Sequence, residues 1–286
     1  MDKTVSFIGA GKMAEAIISG LLSSKKITNA QVIISDKYDK RRIEIEETYN
    51  VRSTPDNVVC AKEGAIVFLS VKPKDMAEVL IQCKPILRQS KLIVSIAAGI
   101  EIKFIESLLD KETKIIRVMP NIAVTVAEGM SVVMKNTAAD ATDINIVKEL
   151  LSSTGDVIEI RDEELFHAVT ALSGSGPAYI LMFLEALSDA GVRMGLSRDV
   201  ANRLATQTVI GAGMMAKGSE LSFATLKEAV ISPAGTTAEA LAVLEKMGVR
   251  SAIIEAIKAA TTRSREIATT HPPDGYPEQT IGQTRG

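Results

Sequence analysis

The first apolar run of the chain, TVSFIGAGKMAEAI at residues 4–17, joins a strand pattern, a glycine-rich turn and the start of a helix. The turn has the spacing G-x-G-x-x-A, with Gly9, Gly11 and Ala14 at the spaced positions. The first glycine allows the tight bend, the second lets a pyrophosphate approach the backbone, and the small third residue brings helix and strand together. The helix N-terminus adds free N–H groups and a favourable dipole for phosphate. The segment therefore predicts a dinucleotide-binding βαβ unit.

The rest of the first half alternates between short apolar runs and helical patterns. Continuous apolar strands separated by helices are typical of a parallel sheet covered on both faces. We therefore expect residues 1–161 to form an α/β domain, a Rossmann-type doubly wound parallel sheet. The predicted strands are Thr4–Ile8, Gln31–Ser35, Ala65–Val71, Leu92–Ile96, Lys114–Val118, Met130–Met134 and Val157–Ile160. The predicted helices are Lys12–Ser23, Asp39–Tyr49, Asn57–Lys62, Lys74–Leu87, Glu101–Leu109 and Thr142–Ser153.

From residue 162 onward the sequence predicts helices and no strands. Two of these helices are apolar nearly all round, over residues 178–187 and 206–216, and such helices need burial on every side. We expect residues 162–270 to form an all-α domain for substrate binding and homodimerisation, and residues 271–286 to be a disordered tail. The predicted helices are Glu163–Leu172, Pro177–Met194, Arg198–Lys217, Phe223–Val230, Ala238–Met247 and Arg250–Ala268.

The composition excludes several functions. The 33 Lys and Arg against 35 Asp and Glu leave a net charge of −2, which argues against a sequence-independent grip on nucleic acid. Two cysteines without a CxxC and two histidines leave too few ligands for a structural zinc site, and no metal site is expected. No apolar run approaches the ~20 residues that cross a bilayer, and the N-terminus lacks a signal pattern. We expect a cytoplasmic protein that binds no membrane.

The strand ends supply candidate cofactor contacts. Asp36 follows the second strand, where an acidic residue usually binds the ribose 2′-hydroxyl of NAD. Its neighbours Ser35 and Lys37, with Arg41 and Arg42, could instead bind the 2′-phosphate of NADP. The carboxyl ends of later strands face the same crevice; the residues there are Val71, Lys72, Pro73, Ala97 and Asn121. Asn121 could equally cap a turn.

Two glycine- and serine-rich segments interrupt the helices of the second half. Ser173–Pro177, with Ser175 at its centre, offers N–H and O–H donors suited to a carboxylate, or forms a plain helix–helix turn. The second segment, 232–237, ends in two threonines that either cap a helix or hydrogen-bond a substrate. His167, on the preceding helix, is more simply a structural side chain than a catalytic one. The missing acid–base motif favours chemistry such as reduction of a protonated imine.

At these segments the sequence resembles the pyrroline-5-carboxylate reductase family. The motifs that carry the resemblance run from about residue 3 to 268. They are FIGAGKMAEAI at 7–17, FLSVKP at 68–73, VSIAAGI at 94–100, RVMPN at 117–121, TALSGSGPAYI at 170–180, SPAGTT at 232–237 and LEKMGVRSAIIEA at 244–256.

The resemblance implies reduction of L-1-pyrroline-5-carboxylate to L-proline, the last step of proline biosynthesis, with NADPH or NADH, by a homodimer that can assemble into a larger ring such as a decamer. It implies that the segment including Ser232, Gly235 and Thr236 holds the substrate carboxylate and that Thr237 bonds the ring nitrogen. Together with Lys37, the cofactor residues are then Gly9, Ala10, Gly11, Lys12, Met13, Ala14, Ser35, Asn57, Val71, Lys72, Pro73 and Ala97.

Two departures from the family's motifs stand out. Ala234 replaces the first glycine of SPGGTT, and Ile122 and Ala123 follow Asn121 where the family reads MPNTP. Two alternative functions also fit part of the pattern: a reductase like the β-hydroxyacid dehydrogenases, and a non-catalytic NADP-binding dimeric regulator. The first generally needs a catalytic lysine on a helix of the second domain, and residues 170–216 contain none.

Overall fold

A computed structural model describes residues 3–88 and 91–269, and its strands within those residues form one eight-stranded sheet. The strands are β1 (Val5–Ile8), β2 (Val32–Ser35), β3 (Arg52–Thr54), β4 (Ile66–Leu69), β5 (Leu92–Ser95), β6 (Lys114–Pro120), β7 (Gly129–Lys135) and β8 (Gly155–Glu159). Their order is β3-β2-β1-β4-β5-β6-β7-β8. The order reverses between β1 and β4, which is where doubly wound sheets open a crevice for ligands.

The sheet is parallel except at one pair of neighbours. β6 and β7 run antiparallel, whereas β7 and β8 are again parallel. The connection from β6 to β7 comprises only residues 121–128, and a parallel crossover needs a dozen residues or more. The predicted doubly wound sheet is therefore confirmed, with this one antiparallel pair.

The helices of the first half are α1 (Lys12–Ser23), α2 (Asp39–Tyr49), α3 (Asn57–Glu63), α4 (Met76–Leu87), α5 (Ile102–Leu108) and α6 (Ala141–Leu151). They cover both faces of the sheet, because alternate residues of each strand point to opposite sides. Ile66 and Phe68 of β4 join the apolar layer of α1 and α6, and Val67 and Leu69 join that of α3, α4 and α5. The rings of Phe7 and Phe68 stack at 4.6 Å between centroids. This core fixes the strand ends that carry the candidate site.

The second half consists of α7 (Leu165–Val169), α8 (Gly176–Arg193), α9 (Arg198–Lys217), α10 (Phe223–Glu228), α11 (Thr236–Lys246) and α12 (Val249–Thr269). By its internal contacts the chain divides into two compact units. One comprises residues 1–174 and 260–286, of which the structure describes 3–88, 91–174 and 260–269, and the other is Ser175–Ala259. The expected tail at 271–286 therefore also lies outside the described residues.

In the second unit, α8 and α9 pack against each other through a small polar network. Ser188, which is buried, donates to the Asn202 Oδ1 atom at 2.5 Å and accepts from Arg198 at 2.8 Å. Large apolar side chains on both helices stay exposed in the single chain, including Leu181, Met182, Ile210 and Met214. This apolar surface is what the all-round apolar pattern of the sequence predicts for a helix that packs against a partner.

Most predicted elements are present with bounds that differ by one to three residues, and three differences have a clear physical reason. β3 was not predicted, because Arg52–Thr54 is short, polar and only partly buried at the sheet edge. The predicted helix Glu163–Leu172 is instead α7 followed by a π-helical turn, Thr170–Gly174. α11 begins at Thr236 rather than at Ala238, since Gly235 already has the extended backbone of an N-cap.

Candidate functional site

A cavity of about 530 Å³ lies within the first unit, next to the carboxyl ends of β1, β2 and β4. Five cationic side chains and three carboxylates are among the residues that line it. The lining residues are Gly9, Gly11, Lys12, Asp36, Lys37, Tyr38, Arg41, Asn57, Ser70, Val71, Lys72, Lys74, Asp75, Glu78, Val79 and Gln82. The cavity thus occupies the switch point of the sheet, where the sequence places the dinucleotide.

The glycine-rich turn has the shape of a phosphate cradle. Gly9 has φ +93°, its N–H donates to the Ser35 carbonyl at 2.8 Å, and an added Cβ would lie 2.8 Å from the Ser70 carbonyl oxygen. Gly11 is the N-cap of α1, and a Cβ there would meet no heavy atom within 4 Å. The space beside Gly11 is therefore open at the helix N-terminus, and it fits the pyrophosphate of a dinucleotide.

Hydrogen bonds to the backbone hold the loop after β2. The Asp36 carboxylate accepts from the Ala10 N–H at 2.9 Å and from the Tyr38 N–H at 3.0 Å. Arg41 donates to the Ala10 carbonyl at 2.6 Å and pairs with Glu15 at 2.5 Å. Arg41 also pairs with Glu44, and although burial lowers its pKa, these two carboxylates outweigh that effect and raise it. The glycine-rich turn and the loop after β2 are thus bound together as one wall.

The side wall of the cavity depends on a buried serine. Ser35 is fully buried and donates to the Asn57 Oδ1 atom at 2.9 Å, while Asn57 donates to Gln82 at 3.1 Å. Asn57 faces the cavity, and Ser35 lies behind it. Ser35 therefore orients Asn57 from the second strand.

The structure brings together seven of the predicted cofactor residues on the wall of the cavity, namely Gly9, Gly11, Lys12, Lys37, Asn57, Val71 and Lys72. Ala10, Ala14, Ser35 and Ala97 are buried and are not among the lining residues, Met13 packs against the core beneath α1, and Pro73 begins a 3-10 turn ahead of α4. Asp75, Glu78, Val79 and Gln82 line the wall but were not predicted. Their spacing of three, four and seven residues marks one helix face and was the available signal.

The end of β6 carries structural contacts. Asn121 caps the 3-10 turn Ile122–Val126 by accepting from the Ala123 N–H at 3.2 Å, and it donates to the Ser173 hydroxyl at 3.3 Å. The turn-capping alternative is thus the one observed for Asn121.

A polar cluster beside α7 holds three elements of the first unit together. Arg117 of β6 pairs with Glu163 at 2.7 Å, and the same carboxylate accepts from the Ile102 N–H at the start of α5. His167 is buried, its Nδ1 atom lies 3.0 Å from the Ser264 hydroxyl of α12, and burial lowers its pKa. These contacts fit the structural interpretation of His167.

In the second unit, the segment 232–237 ends at the N-terminus of α11. Gly235 is the N-cap, with no side chain capping the helix, and its N–H donates to the Ser232 carbonyl at 3.0 Å. Thr236 and Thr237 are therefore the first two helical residues, so neither is the cap residue. Their N–H groups precede the first intrahelical bonds and are available to an anion. Ala234 has φ +54°, a left-handed conformation that favours glycine.

Ser175 lies directly before α8, again with no capping hydrogen bond from its side chain. The π-helical turn ends at Gly174 and α8 begins at Gly176, so Ser175 is the one residue of the predicted interruption Ser173–Pro177 that lies outside a helical segment. Ser175 is half-buried.

Within the part of the chain that the structure describes, no group of three His, Cys, Asp or Glu could hold a metal ion. No described helix is long and apolar enough to cross a membrane. Cys60 and Cys83 are unpaired thiols whose burial raises the pKa of each to about 12, so they lack the reactivity of a nucleophile.

A glycine cradle at the switch point of a doubly wound sheet, followed by a helical unit, defines a dinucleotide-dependent oxidoreductase. Comparisons with known proteins agree. A family described as pyrroline-5-carboxylate reductase dimerisation matches residues 163–267, and one described as NADP oxidoreductase, coenzyme F420-dependent, matches residues 4–99.

Individual relatives match nearly the whole chain. The pyrroline-5-carboxylate reductase of Synechocystis is 40% identical over 93% of this chain and 99% of its own, and that of Pisum sativum is 42% identical over 93% and 96%. The solved structure of the Coxiella burnetii enzyme has a TM-score of 0.89 and 34% sequence identity, and the match covers 93% of this chain and 99% of that one. The structure of the Plasmodium falciparum enzyme, solved with NADP bound, has a TM-score of 0.84 and 32% identity, and the match covers 93% of this chain and 98% of that one. The chain belongs to the pyrroline-5-carboxylate reductase family.

Proposed function

We propose that this protein reduces L-1-pyrroline-5-carboxylate to L-proline with NADPH, and that it also accepts NADH. The observation that carries the proposal is the open cradle at Gly11 beside the N-terminus of α1, in a chain of this family. Family membership favours this reaction over that of the β-hydroxyacid dehydrogenases and over a non-catalytic regulator.

The cavity residues have distinct roles in cofactor binding. Gly9 and Gly11 let the pyrophosphate approach the backbone, and Lys12 adds charge at the same helix end. Asn57, held by Ser35, and the strand-end residues Val71 and Lys72 form further parts of the wall. Pro73 and Ala97, which follow the strands β4 and β5, complete the proposed set of cofactor residues. Bound NADPH supplies the hydride.

The helical unit binds the substrate in this proposal. The N–H groups at the start of α11, with Ser232, Gly235 and Thr236, hold the carboxylate at the positive end of the helix dipole. Ser175 adds a hydroxyl donor. The Thr237 hydroxyl contacts the ring nitrogen and keeps its proton in place while the C=N carbon accepts the hydride. Positioning therefore supplies much of the lowering of the barrier.

The proposed domain division follows the same logic. Residues 1–161 bind the cofactor and residues 162–270 bind the substrate and dimerise, which the match of the dimerisation family to residues 163–267 supports. The exposed apolar side chains of α8 and α9 support a homodimer. Assembly of dimers into a larger ring such as a decamer, and a cytoplasmic location, remain predictions.

The activity test follows proline formation and NADPH oxidation with L-1-pyrroline-5-carboxylate. The Thr237→Ala variant should lower kcat by roughly 5- to 150-fold, since one lost hydrogen bond costs about 1–3 kcal/mol. Thr237→Ser should keep most activity because it retains the hydroxyl, and NADP⁺ affinity should be unchanged in both variants. Folded wild-type protein that makes no proline would refute the reaction. Full activity of Thr237→Ala would refute only the role of Thr237.

A further inference from the structure

The side chains that could select between NADPH and NADH surround the loop after β2. In a doubly wound sheet, the ribose that carries the 2′-phosphate lies at the end of the second strand. Three cations are near this point. Arg41 has its three guanidinium nitrogens engaged by Ala10, Glu15 and Glu44, and Arg42 is bound to the Asp36 carbonyl and to Asp39. The guanidinium groups of both arginines are therefore already engaged in contacts within the protein.

The Asp36 carboxylate is likewise engaged in contacts within the protein. Its two carboxylate oxygens accept from the N–H groups of Ala10 and Tyr38, which shapes the loop itself. An acidic residue at this position ordinarily favours NAD by binding the 2′-hydroxyl. Here the carboxylate already has two backbone donors, so its presence does not by itself establish a preference for NADH.

Lys37 is the third cation, and its contacts are weak ones: the Asp75 carboxylate and the face of the Tyr38 ring, whose centroid is 5.5 Å from the ammonium. Its ammonium lies 3.7 Å from the Asp75 carboxylate, and its side chain is 62% exposed. Asp75 belongs to the turn after β4, and its carboxylate does not cap α4. Both residues line the cavity, so the pair joins the loop after β2 to the turn after β4 across it. Exposed pairs of this kind are weak and exchange their partners readily.

We propose that Lys37 binds the 2′-phosphate of NADPH and that Asp75 competes with that phosphate for Lys37, so that Asp75 sets the preference between NADPH and NADH. The phosphate carries more charge than the carboxylate and displaces it from the ammonium. NADH has only a hydroxyl at this position and leaves the Lys37–Asp75 pair intact. The inference rests on the proposed use of NADPH.

The test measures binding by calorimetry rather than turnover, with NADP⁺, NAD⁺ and 2′,5′-ADP as ligands. Lys37→Gln should weaken the binding of NADP⁺ and of 2′,5′-ADP about tenfold, which corresponds to about 1.4 kcal/mol of binding free energy. The affinity for NAD⁺ should be nearly unchanged. Lys37→Arg should restore NADP⁺ binding. Asp75→Asn should tighten NADP⁺ about two- to fivefold, with no gain for NAD⁺.

The double variant Lys37→Gln/Asp75→Asn isolates the competition. The gain from Asp75→Asn should disappear when Lys37 is absent, because the two side chains act through one contact. Glu78→Gln is the matched control: it removes a carboxylate from the same cavity wall, and its effect on NADP⁺ should be the same with and without Lys37.

The outcomes separate this inference from the proposed function. Wild-type protein that binds neither NADP⁺ nor 2′,5′-ADP would overturn both. Wild-type binding of NADP⁺ that Lys37→Gln leaves unchanged, or weakens equally for NAD⁺, would overturn the inference alone. A gain from Asp75→Asn that persists without Lys37 would overturn the competition.

Discussion

Single residues of the glycine-rich turn separate folding from binding. Gly9 has a positive φ, and a Cβ added there would lie 2.8 Å from the Ser70 carbonyl oxygen, whereas Gly11 has extended backbone at φ −66° and open space beside it. The two glycines, separated by Ala10, should therefore respond differently to substitution.

Gly11→Val should fold normally but lose NADP⁺ affinity by at least roughly tenfold, because its side chain fills the space that the pyrophosphate requires. Gly9→Ala should instead lower the free energy of unfolding, since its Cβ meets the Ser70 backbone. Thermal unfolding and calorimetric titration of both variants distinguish the two effects. Normal NADP⁺ binding by folded Gly11→Val would contradict the position of the cradle.

Ala234 has an unfavourable backbone conformation. A residue with a Cβ is disfavoured in the left-handed conformation by about 1 kcal/mol, and Ala234 adopts it at φ +54° next to the carboxylate segment. Ala234→Gly, which restores the family's SPGGTT motif, should raise the free energy of unfolding by up to about 1 kcal/mol. Chemical denaturation measures this. A lower unfolding free energy would show that the left-handed conformation is not what the protein adopts in solution.

At the scale of elements, short polar contacts decide how helices are placed around the sheet. Glu163 joins β6 to the start of α5, and His167 joins α7 to α12 through Ser264. The π-helical turn at Thr170–Gly174 lies directly after α7. The positions of α5 and α7 in the first unit therefore depend on contacts between residues far apart in sequence.

The burial of His167 should make the free energy of unfolding depend on pH. Burial lowers its pKa from the ordinary 6.5, so between the lowered value and 6.5 the unfolded chain binds more protons than the folded one. Its contribution to stability is complete above pH 6.5 and is lost as the pH falls through the lowered pKa. Urea unfolding at pH 7.5 and 5.5 should therefore show a smaller acid loss in His167→Gln than in the wild type. Equal losses would show that the imidazole is not shielded from water.

At the scale of the whole molecule, large apolar side chains lie exposed on two long helices of the second unit. Met182, Ile210 and Met214 are each more than half exposed on α8 and α9. Obligate interfaces bury on the order of 2,000 Å² or more and are apolar. These helices have the composition of such an interface.

Met214→Glu should therefore weaken assembly, measured as a shift toward monomer in sedimentation velocity at micromolar concentration. Ile43→Glu is the matched control, because Ile43 is exposed to a similar degree on α2 of the other unit, and it should leave the sedimentation coefficient unchanged. A wild-type protein that sediments as an active monomer would contradict the dimer.

The sequence by itself determined the class of fold and the reaction family, because both depend on local patterns. The G-x-G-x-x-A turn needs only its own residues and the adjoining strand and helix, and the predicted bounds of α1, α2 and α9 agree with the structure. The helical second half was predicted for the same reason, since apolar periodicity is visible without knowing what a helix contacts.

Only the tertiary structure decided which side chains share a wall. Asp75 and Lys37 are distant in the chain and meet because β2 and β4 both flank β1 in the sheet. The sequence also could not predict that Asp36 binds backbone N–H groups or that Arg41 binds a backbone carbonyl and two carboxylates. Hydrogen bonds between separate elements leave no periodic signal in the sequence. The strand β3 and the antiparallel pairing of β6 with β7 were likewise decided by the tertiary structure. Pairing at a sheet edge and reversal of the chain direction depend on the space that the neighbouring strands leave.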